Sequence, residues 1–534
     1  MITTKVTKPG VMACTEAKPF LMKQRQSNMA QKINFIDVTL RDGQQSIAAT
    51  RMTTPQAMRV LKKIDQAGFS CMELWGGAVL DSCIRYLSED PWERLETFRD
   101  ALGGGKKIRA LLRGQNLFGY QPQPDDLVMA FVKQAIESGV GVMRMFDALN
   151  DWRNIQVPLI ATKAYGAKAE ACLSYTVSPV HTVKNFVDFA IMLQNEGADQ
   201  IAIKDMAGLL HPTDAVELFH SLKKYITVPI VLHSHATTGV ALVNAVLAMQ
   251  AGIANIDTCI TPFAGGAALP AVEVLMVFAE ELGLDHGLDR EMVLEVQREL
   301  FLIYKELKDY STYNGDYYRP VHYDDINRHL VNEIICLADK GDRASIEEAV
   351  RQSRMLMRGL RYPEYDDRIF SSQIPGGMLS NLQSQLKEMG RPDLLPEVMS
   401  AVPQVRKDAG YVPLVTPTSQ IIGAQAVFNL LFGPYEMVTE EFKMLLRGEF
   451  GRTPAPVNPE VMAKVLGPND KIYKYRPAAY LEPALEDPCW LPYVRTHKDL
   501  LLHLSFEQAA DNFLKNKYTN LVDELNELEM VGAI

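Results

Sequence analysis

Two histidines two residues apart, His233 and His235, close the apolar run IVLHSH (230–235). Side chains on a strand alternate faces with a period of 2, so both imidazoles point the same way. An isolated HxH pair is explained as readily by hydrogen-bonded structure or by chance. Asp42, just after an earlier strand-like run, is directed at the same rim. With it, a site of two histidines and one carboxylate emerges, suited to Zn2+ first and to Co2+ or Mn2+ as alternatives. Lys204 ends the otherwise apolar run Ile201, Ala202, Ile203, where an unpaired ammonium is costly to bury. Three readings stand for it: a salt bridge with Asp205 or Asp147, a Schiff-base nucleophile, or a lysine carbamylated by CO2 that serves as an anionic metal ligand. A cation aimed at a metal is electrostatically untenable, which favours the carbamate wherever a metal is bound. Arg113, in LLRGQNLFGY, offers a planar fork for a substrate carboxylate, with a structural ion pair as the plain alternative. Arg41 and Gln45 flank Asp42 on the same loop.

Something must bring these groups together. From Ile33 to about Leu282 the sequence alternates β-rich runs with helical periodicity. The runs are INFIDVTL (33–40), CMELW (71–75), KIRALL (107–112), VMRMF (142–146), AEACLSY (169–175), QIAIK (200–204), IVLHSH (230–235) and NIDTCI (255–260). Between two of them Val183, Phe186, Val187, Ala190 and Ile191 repeat as one apolar helical stripe, and Ala215, Leu218, Phe219 and Leu222 do the same further on. Near-continuous apolar strands alternating with one-faced helices mean a parallel sheet covered on its outer side. Eight such units predict an α/β fold, a (β/α)8 TIM barrel, with an open doubly wound sheet as the alternative. In a barrel the reacting groups stand at the C-terminal strand ends, where Arg41, Asp42, Gln45, Arg113, Asp147, Lys204, Asp205, His233 and His235 all fall. GGGKK (103–107) precedes a strand at the opposite face and reads as a plain turn rather than a phosphate loop. Beyond 285 the texture becomes helical with Pro/Gly punctuation, notably IPGGMLSN (374–381) and YVPLVTPTSQ (411–420), which predicts a mostly α-helical C-terminal domain.

Composition closes off other classes. At 534 residues, 47% hydrophobic and 22% charged, the chain can bury a large core, which excludes disorder, collagen and a disulfide scaffold. A net charge of -10 repels polyanions, so no nucleic-acid partner is expected. Seven scattered cysteines without CxxC spacing suggest neither a disulfide framework nor a cysteine zinc site. With no apolar run of transmembrane length and no secretion signal, a cytoplasmic location is expected, and basic residues 1–32 read as a tail.

The motifs IDVTLRDGQQSIAATR, ELWGGAVLDSCIRYLSEDPWERL, LLRGQNLFGY, FDALND, SYTVSPVHT, IAIKDMAGLL, LHSHATTG, SQIPGGMLSNLQSQL and VTPTSQIIGAQAVFN together resemble the carboxyltransferase component of biotin-dependent carboxylases over about residues 33–450. That family includes pyruvate carboxylase, the oxaloacetate decarboxylase alpha chain and the transcarboxylase 5S subunit. The resemblance implies a metal held by Asp42, carbamylated Lys204, His233 and His235, with catalytic roles for Arg41, Gln45, Arg113 and Lys204. It also implies a pyruvate or oxaloacetate pocket using Arg41, Gln45, Arg113 and Tyr120. Five units follow from it: a tail (1–32), a barrel (33–305), a connector or insertion (306–362), a helical funnel completing the biotin entrance (363–470) and a C-terminal extension (471–534). A homodimer is expected. No Ala-Met-Lys-Met biotinylation sequence is present, so carboxybiotin should arrive on a separate biotin carboxyl carrier protein, with a biotin carboxylase or membrane decarboxylase subunits as further partners.

Two departures stand out. The family's first loop usually reads RDAHQS where this chain has RDGQQS. After the eighth strand a hydroxyl-bearing loop is expected to move a proton between biotin and acceptor, whereas PFAGGAALP (262–270) contains no Ser or Thr, its equivalent position falling near Ala267. Either another group moves the proton, with Gln45 or a water held by Tyr120 first in line, or Gly265, Gly266 and Ala267 widen the pocket for an acceptor larger than pyruvate. Two other functions compete: an acyl-CoA lyase or aldol-type synthase, which shares the barrel and the HxH but has no need of an anionic lysine, and a non-catalytic scaffold that binds a biotin carrier.

Overall fold

The computed structural model describes residues 31–530, apart from 106, 314–316, 375–381, 383–385, 388 and 487–489. Almost all of the 1–32 tail and of the IPGGMLSN motif thus lies outside the described residues. Eight strands, all parallel, close into a barrel in sequence order: β1 Asn34–Asp37, β2 Met72–Gly76, β3 Ile108–Leu112, β4 Val142–Met145, β5 Lys168–Ser174, β6 Gln200–Asp205, β7 Ile230–Ser234 and β8 Asn255–Thr258. The barrel shuts where β1 pairs with β8, Asn34 opposite Asn255 through Asp37 opposite Thr258. The open-sheet alternative is thereby excluded.

Helices follow the strands because one face of each is apolar and its first turn is capped. The helix Thr54–Gln66 starts in a capping box between Thr53 and Gln56 and buries Ala57, Val60, Leu61 and Ile64. The helix Val183–Asn195 is capped by Thr182 and buries Phe186, Val187, Ala190 and Leu193, so the predicted stripe lies on the barrel with Leu193 added to it. A cluster of Trp75, Trp92, Phe118 and Phe131, ring centroids 5.0 to 6.5 Å apart, fixes the β2 and β3 side of the wall.

The remaining chain is mostly helical. Helices Arg290–Glu306, Arg328–Lys340 and Arg343–Gly359 share the barrel's apolar core, as do Leu500, Leu501, Leu502, Phe513 and Leu514 near the C-terminus. Residues from Ile374 to Val461 form a second core around Val398, Val402, Ile422, Val427, Phe442 and Leu445, touched by Leu149 of the loop after β4. Arg406 of this second core donates to Val177 O (2.9 Å) and Thr176 Oγ1 (3.0 Å) after β5, and to its own Val412 O (2.7 Å). Asn154 Nδ2 reaches Phe450 O at 2.8 Å. The second core is thus seated on the C-terminal rim of the barrel. Among the described residues no helix is long and apolar enough to cross a membrane.

Candidate active site

The barrel interior is not an aliphatic plug. Every strand contributes a buried ionisable side chain: Asp37, Glu73, Arg109, Arg144, Glu170, Lys204, His233 and Asp257. Arg109 donates to Glu73 Oε2 (2.7 Å) and Asp257 Oδ1 (2.8 Å), and Arg144 to Asp257 Oδ2 (2.5 Å) and to Glu170. Buried charges persist only when paired and hydrogen-bonded, and here the pairing is mutual. Burial alone would raise Glu73, but Arg41, Arg109 and Arg144 outweigh it and hold the carboxyl down at about 2. Burial pushes Asp37 up to about 7, in keeping with a carboxyl oxygen that has no hydrogen-bond partner. Glu73, Arg109, Arg144, Glu170 and Asp257 lie within the strands and not at their ends, so no rim position singles them out in the sequence. Their signal is a charge set inside each apolar strand.

Above this layer stand the predicted ligands. Asp42 lies on the turn Thr39–Gly43 directly after β1, and its carboxylate comes within 3.4 Å of His233 Nε2 and 3.5 Å of His235 Nε2. One ligand atom from each of the three falls within 4.8 Å of the others. His233 Nδ1 faces Asp257 Oδ2 at 2.7 Å, and His235 Nδ1 faces the carbonyl of Ala267 at 2.6 Å. With both Nδ1 atoms donating, both Nε2 lone pairs turn toward Asp42, which is the tautomer a metal requires. Burial and Lys204 depress His233 to about 4, so its ring is neutral. Burial would raise Asp42, but Arg41 and the histidines hold it well below its ordinary value. The donor set fits a divalent cation.

Lys204 Nζ lies 3.0 Å from His233 Nε2. The salt bridge with Asp205 considered from sequence is not what binds that carboxylate: Asp205 accepts from Leu209 N, Leu210 N and Ser234 Oγ. Asp147 is likewise taken, by Leu149 N, Asp151 N and Asn154 Nδ2, and burial lifts it to about 7. Burial and the repulsion of Arg41 lower Lys204 to about 8. Around it, four cations (Arg41, Arg109, Arg144, Lys204) meet four carboxylates (Asp42, Glu73, Glu170, Asp257), while Asp37, pushed up to about 7 by burial, is a fifth interior carboxyl and is taken as the neutral acid.

Arg41 is committed on three sides, to Asp42 Oδ2 (2.6 Å), to Glu73 Oε1 (2.5 Å) and to Gln45 Oε1 (3.0 Å). It therefore fixes Asp42 and orients the exposed Gln45. Arg113 donates to the carbonyls of Phe118 (2.6 Å) and Gly119 (3.0 Å), while its guanidinium sits 5.0 Å from the ring of Tyr120, a residue 41% exposed. A small pocket joins Arg113 to Asn116, Phe146, Asp147, Ala148 and Leu149 of the barrel rim and to Thr416, Pro417, Thr418 and Phe450 of the second core. Thr418 Oγ1 is spent on the backbone at Val415 O (2.7 Å), and Thr416 is the other hydroxyl-bearing residue of the lining. A surface groove between residues 84–93 and the segment 509–517 contains none of these groups.

Both sequence departures find physical reasons. A methyl at Gly43 would stand 2.7 Å from the Phe263 carbonyl, so the RDG form belongs with this close approach. The widened-pocket reading of PFAGGAALP is corrected: a methyl at Gly265 would meet Tyr362 Cδ1 at 2.6 Å, and one at Gly266 would meet Tyr313 Oη at 2.5 Å. Tyrosines fill the space that the glycines leave, and Ala267 orients His235 through its carbonyl instead of standing in for a proton carrier. The loop thus carries no argument for a larger acceptor.

Comparison with known proteins decides the family. A conserved carboxylase domain matches residues 369–531, and an HMGL-like domain matches 160–300. A pyruvate carboxylase subunit of Methanocaldococcus jannaschii is 39% identical over 91% of this chain and 78% of its own length. The chain belongs to the carboxyltransferases of the biotin-dependent carboxylases. The methylmalonyl-CoA carboxyltransferase 5S subunit of Propionibacterium freudenreichii is 36% identical over 91% of this chain and 88% of its own length. The 2-oxoglutarate carboxylase large subunit of Hydrogenobacter thermophilus is 34% identical over 94% and 72%. The carboxyl transferase domain of Rhizobium etli pyruvate carboxylase, solved with pyruvate, superposes with a TM-score of 0.74 at 25% identity, covering 91% of this chain and 77% of that one. An HMGL-like match confined to part of the barrel accounts for the features shared with acyl-CoA lyases. The relatives that span the chain are carboxylating enzymes, so the lyase and scaffold readings fall away.

Proposed function

We propose that this carboxyltransferase moves a carboxyl group between carboxybiotin, presented by a separate carrier protein, and a small 2-oxo acid of the pyruvate and oxaloacetate type. The observation that carries the reading is the convergence of Asp42, His233 and His235 within 4.8 Å, with Lys204 Nζ 3.0 Å from His233 Nε2, on the rim that also holds Arg113. A divalent metal, Zn2+ by the donor set, would be held by Asp42, His233, His235 and a carbamylated Lys204, and would supply Lewis-acid polarisation of the acceptor's 2-oxo group. Lys204 is prepared for carbamylation because its amine is depressed to about 8, so the nucleophilic neutral form is populated near neutrality. Charge supports the pairing: adding a dication alone to four cations and four carboxylates leaves two uncompensated buried charges, whereas converting the ammonium to a carbamate cancels both.

Arg113, its plane fixed by two carbonyls, holds the acceptor and stabilises negative charge as the acceptor's C3 is deprotonated. Thr416 carries that proton to the biotin ring nitrogen from which CO2 has left, and the acceptor carbon then bonds to CO2. Tyr120 and Gln45 line the approach, and the helical part seated on the rim serves as the funnel for biotin. The test is turnover of the purified chain with free biotin as the carboxyl acceptor and, as donors, oxaloacetate and oxalosuccinate, the carboxylated forms of pyruvate and 2-oxoglutarate. Biotin-dependent decarboxylation of oxaloacetate is expected; activity confined to oxalosuccinate would overturn the acceptor assignment, and no activity with either donor would overturn the reaction.

A further inference from the structure

The chain that leaves the helix Arg290–Glu306 returns across the barrel mouth and touches two ligand-bearing loops at once. Thr312 donates its N–H to Ile47 O (2.8 Å) and its hydroxyl to Ser46 O (2.9 Å), and Ser46 Oγ donates in turn to Asp42 Oδ1 (3.0 Å). The next residue, Tyr313, accepts the N–H of Ala267 on its phenolic oxygen at 2.7 Å, and Ala267 O accepts from His235 Nδ1 at 2.6 Å. Ser311 Oγ anchors the Tyr313 carbonyl at 2.7 Å.

The loop being gripped is intrinsically loose. Gly265 and Gly266 sit at φ +71° and +54°, and glycine loses more freedom on ordering than any other residue. Those glycines are also the surface against which Tyr362 and Tyr313 pack. Aromatic bulk and one hydrogen bond therefore fix a peptide whose carbonyl sets the rotation of the His235 ring. A metal ligand is only as well placed as the group that holds its second nitrogen.

We infer that Tyr313, supported by Thr312, is a positioning residue of the metal centre, holding His235 through Ala267 and Asp42 through Ser46. The inference rests on the metal reading proposed above, and the experiment separates the two. The full chain is stripped with chelator and titrated with Zn2+ against a colorimetric competitor, then with Co2+ to read the visible ligand-field spectrum. Tyr313→Phe, which deletes only the hydroxyl, is expected to weaken metal binding by about 10- to 100-fold and to shift the Co2+ bands. Gly266→Ala, which displaces Tyr313 without removing its hydroxyl, should weaken binding in the same direction. Tyr318→Phe is the matched control, since the Tyr318 hydroxyl is buried in the same aromatic cluster without a hydrogen-bond partner; it should leave affinity and spectrum unchanged. In a His235→Ala background, Tyr313→Phe should have no further effect. Wild type that binds no metal would overturn the metal reading itself. Wild-type binding with an unaltered affinity and spectrum in Tyr313→Phe would overturn the clamp alone.

Discussion

Lys204 and His233 show how burial prepares single residues for chemistry that their types alone leave open. His233→Ala removes the ring whose Nε2 faces Asp42 and Lys204, so the variant should lose its bound metal while the barrel's circular dichroism is retained; elemental analysis reads the outcome, and a full metal complement would remove His233 from the ligand set. Lys204→Arg keeps a cation but cannot form a carbamate, so turnover should vanish. The pH dependence follows from the depressed lysine. Its folded value of about 8 lies below the ordinary 10.5, so the folded protein binds fewer protons than the unfolded chain between those two values. This group's contribution to stability therefore rises as pH climbs from about 8 toward 10.5 and is unfavourable below that window. Carbamate formation needs the neutral amine, so its 13C signal from labelled bicarbonate should grow up to about pH 8 and level off above it. A midpoint near 10.5 would mean that burial does not govern the amine.

At the scale of elements, the eight strands were legible because alternation of apolar runs with one-faced helices is a pattern that few folds share. The rim ligands were legible because strand ends are where a barrel exposes polar groups. Two things were not. The charged layer inside the barrel is built from residues that are ordinary singly, Glu73 in MELWG or Arg109 in IRALL, and become a network only when closure sets β1 beside β8. The glycine loop after β8 reads as empty space in the sequence, since nothing local announces that Tyr313 and Tyr362, from residues beyond the barrel, will occupy it. The same blindness hid Thr416, which lines one pocket with Arg113 only because the second core is seated on the rim. That seating gives a prediction. Thr416→Ala should lower kcat by about 10²- to 10⁴-fold, the usual worth of a positioned proton carrier, with metal content intact and with recovery in Thr416→Ser. If kcat is unchanged, the proton travels by another route. Arg406→Met should loosen the seat itself, because the buried carbonyl of Val412 is left unsatisfied at about 1–3 kcal/mol and the tie to the Val177 carbonyl after β5 is lost, read as a lower Tm.

Across the whole molecule the deciding quantity is the charge balance of the barrel interior, which couples the metal to the CO2 that would carbamylate Lys204. With an ammonium at Lys204 the four cations and four carboxylates are balanced and no dication is wanted. With a carbamate the interior is two charges negative, and a dication restores neutrality. Metal and CO2 should therefore each raise the other's affinity, and linkage requires the two effects to be equal. Any ligand that binds only the folded state stabilises it by about 4.1 kcal/mol at a thousand times its dissociation constant, so the coupling is visible in thermal unfolding. Bicarbonate alone should shift Tm little, Zn2+ alone modestly, and the two together by more than the sum of their separate shifts. In Lys204→Arg the excess over additivity should disappear, because the arginine accepts no CO2 while its fixed positive charge opposes the metal in every condition. Strictly additive shifts in the wild type would show that metal and carbamate are independent, and the neutrality argument for a carbamylated lysine would then fail even if the histidines still bind zinc.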